Sequence, residues 1–284
     1  MVEPPPCGSI SVMSKIPVEI FGMVFTLLEE RRDKETLTAC SVVSRRWRDI
    51  ATPYLFSTVT VWEMESFGRF IQFIDGHPHL AACIRTLTLS GEDYAAQLDC
   101  TAFSSVLPKL VRLQQLFLQD LTLHIPEGGI VRDERPPTRT LEALEVDLVR
   151  ADQRVPIIPA VLDMLSLAAV GLLRFDGIYD AVNHDGTNFD VGTPSHPLSV
   201  HHLSVVAPQG PVMPAYWALY REMIRSESLS VLATFCDSWA SAEALCMFLN
   251  THGASIVTLD IDIRDLMILE AFERQSNRSV PLES

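Results

Sequence analysis

Leu113-Gln114-Gln115-Leu116-Phe117-Leu118 carries apolar side chains at its first, fourth and sixth positions, and Leu141-Glu142-Ala143-Leu144-Glu145-Val146 repeats that spacing further along the chain. The fourth and sixth positions alternate with more polar residues, the period of a strand with one buried face. The pattern continues outward on both sides. It runs back to Ile84/Leu87/Leu89 and Phe56/Val59/Val61, and forward to Val170/Leu173/Phe175, Val200/Leu203/Val205, Leu229/Leu232 and Ile256/Leu259/Ile261. Successive starts lie roughly 28 residues apart throughout, within the period range of known repeat arrays. One such triplet could be chance; eight at so even a period specify a repeating strand unit. The seventh departs, with Thr234 at its sixth position.

Between the triplets, apolar residues at helical spacing predict helices over Met64–Ile74, Phe103–Leu113, Met213–Arg225, Ser238–Asn250 and Leu266–Glu273. Repeated strand, crossover and parallel strand define an α/β class. The unit resembles the strand of a leucine-rich repeat. That resemblance implies an open solenoid over residues 53–284, with parallel strands on its concave side and helices on its convex side. The family's usual Asn or Cys, two residues after the strand, is replaced by residues such as Glu92, Leu121, Pro208 and Arg264. The repeat is therefore degenerate. An ordinary α/β domain with a parallel sheet is the competing reading.

Residues 1–14, with Pro4-Pro5-Pro6 and Gly8, read as a flexible leader. Pro17 then suits a first helical turn, and Ile20, Val24 and Leu28 recur every four residues, widened by Phe21 and Phe25. Asp33 is placed to cap a short helix over Lys34–Ala39. A third helix is expected from about Ser41, with Cys40, Val43, Trp47 and Ile50 on one face and Pro53 closing it. Three short helices cannot bury that much apolar surface among themselves. Either they pack on the rest of the chain or they bind a partner.

The string Ile16-Pro17-x-Glu19-Ile20, Val24-Phe25-x-x-Leu28 and Leu37-x-x-Cys40-x-x-Val43-Ser44-Arg45-x-Trp47-Arg48 resembles the F-box motif. It covers residues 15–52, with Ile16 in place of the commoner Leu. The resemblance implies a three-helix F-box that docks on a Skp-type adaptor and through it on a cullin, as the target-recognition subunit of an SCF-type ubiquitin ligase. It implies a docking face formed or supported by Ile16, Pro17, Ile20, Val24, Leu28, Val43 and Trp47, with Phe21 and Phe25 turned toward the rest of the chain.

On the strands, the residues between the repeat apolars would line the concave face. Trp62 and Phe117 are the aromatic anchors expected there. Glu145, Asp147, Asp176, Asp260 and Asp262, with Arg174 among them, would favour a basic segment of an unknown target protein. Two irregular stretches, Pro126–Pro137 and Asp176–Pro197, interrupt the repeat; Asn183-His184-Asp185-Gly186 fails the register of a calcium loop.

The 284 residues carry a net charge of −14. From Lys15 to Ala51 the balance is seven Lys/Arg against six Asp/Glu, so the excess acid lies elsewhere and disfavours a nucleic-acid partner. Six scattered cysteines without a CxxC pair indicate reduced thiols rather than a zinc site, and no metal or other cofactor is expected. The apolar run Ile157–Leu173 is broken by Pro159 and Asp163, so no membrane span is expected. The N-terminus lacks the features of a secretory signal, which points to the cytoplasm or nucleus. P-loop, nucleophile-elbow and zincin motifs are missing, so the chain is expected not to be an enzyme. The alternative is a solenoid scaffold or an unfamiliar enzyme whose N-terminal helices cap its own core.

Overall fold

The computed structural model describes residues 17–62, 64–91, 96–125, 138–151, 157–177, 196–206, 213–236 and 238–262. Helix α1 (Val18–Glu30) starts after Pro17, at the cap position where a missing N–H costs nothing. It ends in a Schellman turn. Arg32 sits at φ 56°, its N–H donates to the Glu29 carbonyl at 2.8 Å, and the Asp33 N–H donates to the Leu28 carbonyl at 2.9 Å. Helix α2 (Lys34–Val43) begins with the Asp33 carboxylate accepting from the Thr36 N–H at 3.0 Å. Helix α3 spans Arg45–Leu55.

The expected start of α3 near Ser41 is corrected by Ser44. Its backbone is extended and its hydroxyl accepts from the Trp47 N–H at 3.2 Å, so α2 stops there and Cys40 and Val43 belong to α2. Pro53 does not close α3 but lies inside its last turn, where it forfeits one backbone bond near the helix end. Phe21, Phe25, Leu37 and Ala51 form the buried centre of this three-helix unit. Trp47 packs edge-on against Phe21 and Phe25, with ring centroids 4.8 and 5.8 Å away.

Strand β1 (Thr58–Trp62) opens the remainder, followed by α4 (Met64–Gly76), α5 (Pro78–Ala81), β2 (Thr86–Ser90), β3 (Ala96–Asp99) and α6 (Cys100–Val106). Next come β4 (Gln115–Gln119), β5 (Leu121–His124), β6 (Arg139–Asp147), β7 (Arg150–Ala151), α7 (Ile157–Leu165) and β8 (Leu167–Asp176). The chain continues through β9 (Ser199–Val206), α8 (Met213–Met223), β10 (Val231–Phe235), α9 (Trp239–His252) and β11 (Thr258–Asp262).

Strands β1, β2, β4, β6, β8, β9, β10 and β11 make one eight-stranded sheet in that order, every neighbour parallel. The fourth and sixth positions of the eight repeat units fall on these eight strands in matched register. Val59, Leu87, Leu116, Leu144, Leu173, Leu203, Leu232 and Leu259 pair in one continuous row. The helices contribute Phe67, Phe103, Ile157, Trp217 and Phe248 to the same core cluster as the row's leucines, so they cover one face of the sheet. The opposite face is half-exposed along most of its length.

Three features depart from the expectation. The helix over Phe103–Leu113 is shorter, because Pro108 has no N–H to give and α6 passes into a 3-10 turn at Leu107–Lys109. Helix α7 was not expected; its Pro159 stands third in the helix, among N–H groups that have no partner anyway. A second sheet of β3, β5 and β7, also parallel, lies beside the main one. Asp120 and Leu148, at φ 51° and 50°, turn the chain from main-sheet strands into this second sheet, and their N–H groups donate to the carbonyls of Asp147 and Asp176. The expected helix over Leu266–Glu273, the stretch 126–137 and nearly all of 176–197 lie outside the described residues.

Gly171 on β8 tests the sheet's packing. A Cβ there would sit 2.6 Å from the Glu142 carbonyl oxygen of the neighbouring strand, whereas one on Gly68 in α4 meets nothing within 4 Å. We expect Gly171→Ala to cost roughly 1–3 kcal/mol and Gly68→Ala to add about 0.5–1 kcal/mol, as read from urea unfolding midpoints.

His252, buried in α9, stacks on Phe248 with ring centroids 4.4 Å apart; its Nε2 faces the Arg221 carbonyl at 3.3 Å. Its Nδ1 is buried with no hydrogen-bond partner among the described residues. Burial pushes the pKa of this imidazole below its ordinary value, only partly opposed by the bond to the Arg221 carbonyl. The unfolded chain then binds the proton more readily than the folded one. Stability is full above the ordinary imidazole range and falls as pH drops through it toward the depressed value. His252→Gln should flatten that slope in unfolding midpoints measured from pH 7.5 to 5.

Candidate functional site

Helix α1 carries two apolar stripes. At 100° per residue, Phe21, Phe25 and Leu28 lie within about 60° of arc, and Ile20, Met23, Val24 and Leu27 span about 100° beside them. The first stripe closes the helical core: Phe25 is 0% exposed and Leu28 packs against the same cluster. The second faces solvent, with Ile20 48% and Val24 46% exposed. At the end of α2, Val43 is 66% exposed and Val42 lies beside it.

The residues assigned to docking are thus divided. Ile20, Val24, Val43 and the capping Pro17 are exposed. Leu28 and Trp47 are half-buried inside the helical unit, where they support the face rather than form its outer surface. Phe21 and Phe25 turn toward Trp47 on α3. Ile16 lies outside the described residues. Met23, Leu27 and Val42 were not singled out in the sequence, although Met23 and Leu27 stand three and seven residues after Ile20, the spacing of one helical face.

The open face of the main sheet holds the second set. One row across the strands reads Thr60, Thr88, Phe117, Glu145, Arg174, Ser204, Ala233 and Asp260. A parallel row places Gln119 beside Asp147, and Asp147 beside Asp176. Phe117, Glu145, Asp147, Arg174 and Asp176 are therefore brought together, and all are half-exposed. Trp62, 60% exposed, stands at the β1 edge, and Asp260 and Asp262 stand on β11 at the other end.

Arg174 pairs with Asp176 at 3.3 Å. Partial burial, with Asp176 and Asp120 close by, raises the pKa of the Asp147 carboxyl; Arg174 pulls the other way. Glu145, Asp147, Asp176 and Asp120 thus stand near the Arg174 guanidinium.

Helical unit and sheet meet at a cleft of about 980 Å³. Its floor is Thr58 and Thr60 of β1, Thr86 and Thr88 of β2, and Gln115, Phe117 and Gln119 of β4. Its wall is the α1–α2 corner with Glu29, Glu30, Arg32 and Lys34, together with Leu37 and Tyr54. The Lys34 ammonium donates to the Thr58 carbonyl and ties the wall to the edge strand.

The described residues contain no group of three or more His, Cys, Asp or Glu able to hold a metal ion, and no helix among them is long and apolar enough to cross a membrane. Residues 13–61 match the F-box-like family model. The N-terminal helices are therefore an F-box-like domain, and the rest of the chain is an α/β sheet of parallel strands. No curated protein and no solved structure matches the chain significantly. F-box-like domains typically bind Skp-type adaptors, so the match supports a role among SCF-type ubiquitin ligase adaptors.

If like charge is what raises the Asp147 carboxyl, Asp176→Asn should bring its titration down toward the ordinary carboxylate range. An NMR pH titration of the Asp147 carboxyl carbon measures this. An unmoved midpoint would show that Asp176 contributes nothing and leave burial, with Asp120 and Glu145, as the cause.

Proposed function

We propose that this chain is the target-recognition subunit of an SCF-type ubiquitin ligase, docking through its F-box-like helices and holding a target protein on its repeat region. The observation that carries the reading is the outward stripe of α1. Phe21, Phe25, Leu37 and Ala51 close the helical core without it, leaving Ile20, Met23, Val24 and Leu27 facing solvent. Burying the exposed half of four such side chains is worth on the order of 3–6 kcal/mol, enough to drive specific association.

The cap alternative draws no support from this arrangement. The core of the helical unit is a cluster separate from that of the sheet, and the exposed stripe belongs to neither. In the proposed reading, Ile20, Val24 and Val43 contact the Skp-type adaptor, Pro17 flanks them, and Leu28 and Trp47 hold the face in shape. The adaptor links the chain to a cullin. Ubiquitin transfer is then performed by other subunits in the cytoplasm or nucleus, and this chain contributes proximity without catalysis.

The repeat region is read as a degenerate leucine-rich-repeat-like solenoid. Eight strands paired in chain order, helices on one face and an even period of roughly 28 residues support it. The open face would then be the concave one. Phe117 with Trp62 and the carboxylates around Arg174 would receive the target.

Binding of purified Skp-type adaptor to the full chain tests the reading. Ile20→Glu/Val24→Glu should lower affinity at least about 100-fold, the equivalent of some 2.7 kcal/mol, without changing the circular dichroism spectrum. Trp47→Ala is a poorer probe, because it removes a ring from the Phe21–Phe25 core. A folded wild-type chain that does not bind the adaptor would overturn the ligase reading.

A further inference from the structure

The cleft makes the F-box-like unit a wall of a second site, on residues the adaptor-facing stripe does not use. We propose that this cleft and the strands beside it bind an extended segment of the target protein. Uncharged polar residues of that segment meet the threonine and glutamine floor, an apolar side chain lies on Phe117, and a Lys or Arg reaches Glu145, Asp147 and Asp176. The inference rests on the reading of the chain as a target receptor.

The floor sets the first requirement. Thr58, Thr60, Thr86, Thr88, Gln115 and Gln119 offer hydroxyls and carboxamides that both donate and accept, and no charge. Such a surface bonds the backbone and neutral side chains of a segment laid across it, and gives an ion no partner. The wall is balanced, two acids against Arg32 and Lys34.

The row next to the floor sets the second. Phe117 is paired with Glu145, and Glu145 with Arg174. Around that point, among the described residues, Glu145, Asp147, Asp176 and Asp120 stand near Arg174. From β1 to β8 there are four inter-strand steps of about 4.8 Å, roughly 19 Å in all, the length of about six extended residues. A segment crossing the strands therefore meets neutral groups first, Phe117 midway and carboxylates at the far end.

Arg32 adds an independent observation. It occupies the left-handed position of the Schellman turn, at φ 56°, which glycine fills without strain. Its side chain lines the cleft, where its five N–H donors can hold carbonyl groups of the segment.

The full chain, immobilised, is used to select from a phage library displaying random dodecapeptides. We expect selected peptides to share neutral polar residues, an apolar residue and, a short step beyond, Lys or Arg, with acids depleted. Against the selected peptide, Phe117→Ala and Thr88→Lys should each weaken binding at least 10-fold. Asp147→Asn/Asp176→Asn should abolish the preference for Lys or Arg over Gln at the basic position. All these variants should keep adaptor binding, which reports that they are folded. Ile20→Glu/Val24→Glu should keep peptide binding. If the folded chain binds the adaptor but selects no basic consensus, or selects one that the cleft variants bind unchanged, the cleft proposal is overturned and the receptor reading stands. A concentration-dependent dimer that blocks selection and is lost on Phe117→Ala would overturn it in favour of a second copy of this chain. If selection succeeds while the adaptor does not bind, the ligase reading falls and the site remains a peptide-binding cleft.

Discussion

The parallel backbone ladder that holds Leu87, Leu116, Leu144, Leu173, Leu203 and Leu232 in one row is the constraint on which the rest of the structure depends. Each of these side chains is fully buried, and each is covered by residues of the crossover helices as well as by its neighbours in the row. A slip of one residue in any of these strands would send its leucine to the open face, and in most of them could bring a polar residue into the core. The row also explains the even period. Each unit must supply a strand, a crossover that covers one face and a return to the same register, and that takes roughly 28 residues every time.

Covering one face leaves the other to function. Because the described crossover helices pack on the leucine side, the residues between the leucines need only be compatible with water. Their chemistry is free to vary from strand to strand, and it does: hydroxyls and carboxamides with Trp62 and Phe117 on β1, β2 and β4, charges on β6 and β8, apolar residues on β10. The strain at Asp147 belongs to this freedom. A carboxyl whose pKa is raised by burial and by Asp176 and Asp120 is a charge the folded chain holds at some cost, and a cation arriving there would relieve it.

The sheet was legible because its signal is repeated. A single triplet such as Leu229/Leu232 is weak, and the even spacing supplied the missing certainty. Features that occur without repetition were not legible. Strands β5 and β7 have four and two residues and carry no period of their own. Leu121 looked like a lapse in a family pattern; it is the buried first residue of β5, in the second sheet. Helix α7 was obscured by Pro159, which is harmless in a first turn. At the candidate site, Ile20 and Val24 were legible as apolar residues, but Leu28 was grouped with them although it sits on the inner stripe with Phe21 and Phe25. Counting in fours overshoots each helical turn by about 40°, and over two turns that carries Leu28 from one stripe to the next.

Those two stripes also separate the unit's tasks. The inner stripe gives the three helices a core of their own, so exposing or covering the outer stripe does not disturb their packing. The α1–α2 corner, fixed by the Schellman turn and the Asp33 cap, then meets the sheet through polar residues, including the Lys34 bond to Thr58. In the proposed reading, docking on the outer stripe and occupation of the cleft use different side chains of one corner. Affinity for one partner therefore need not depend on the other, while the corner's stiffness sets the distance between them. For an adaptor that works by proximity, a fixed separation matters more than cooperative binding, because orientation is what it supplies.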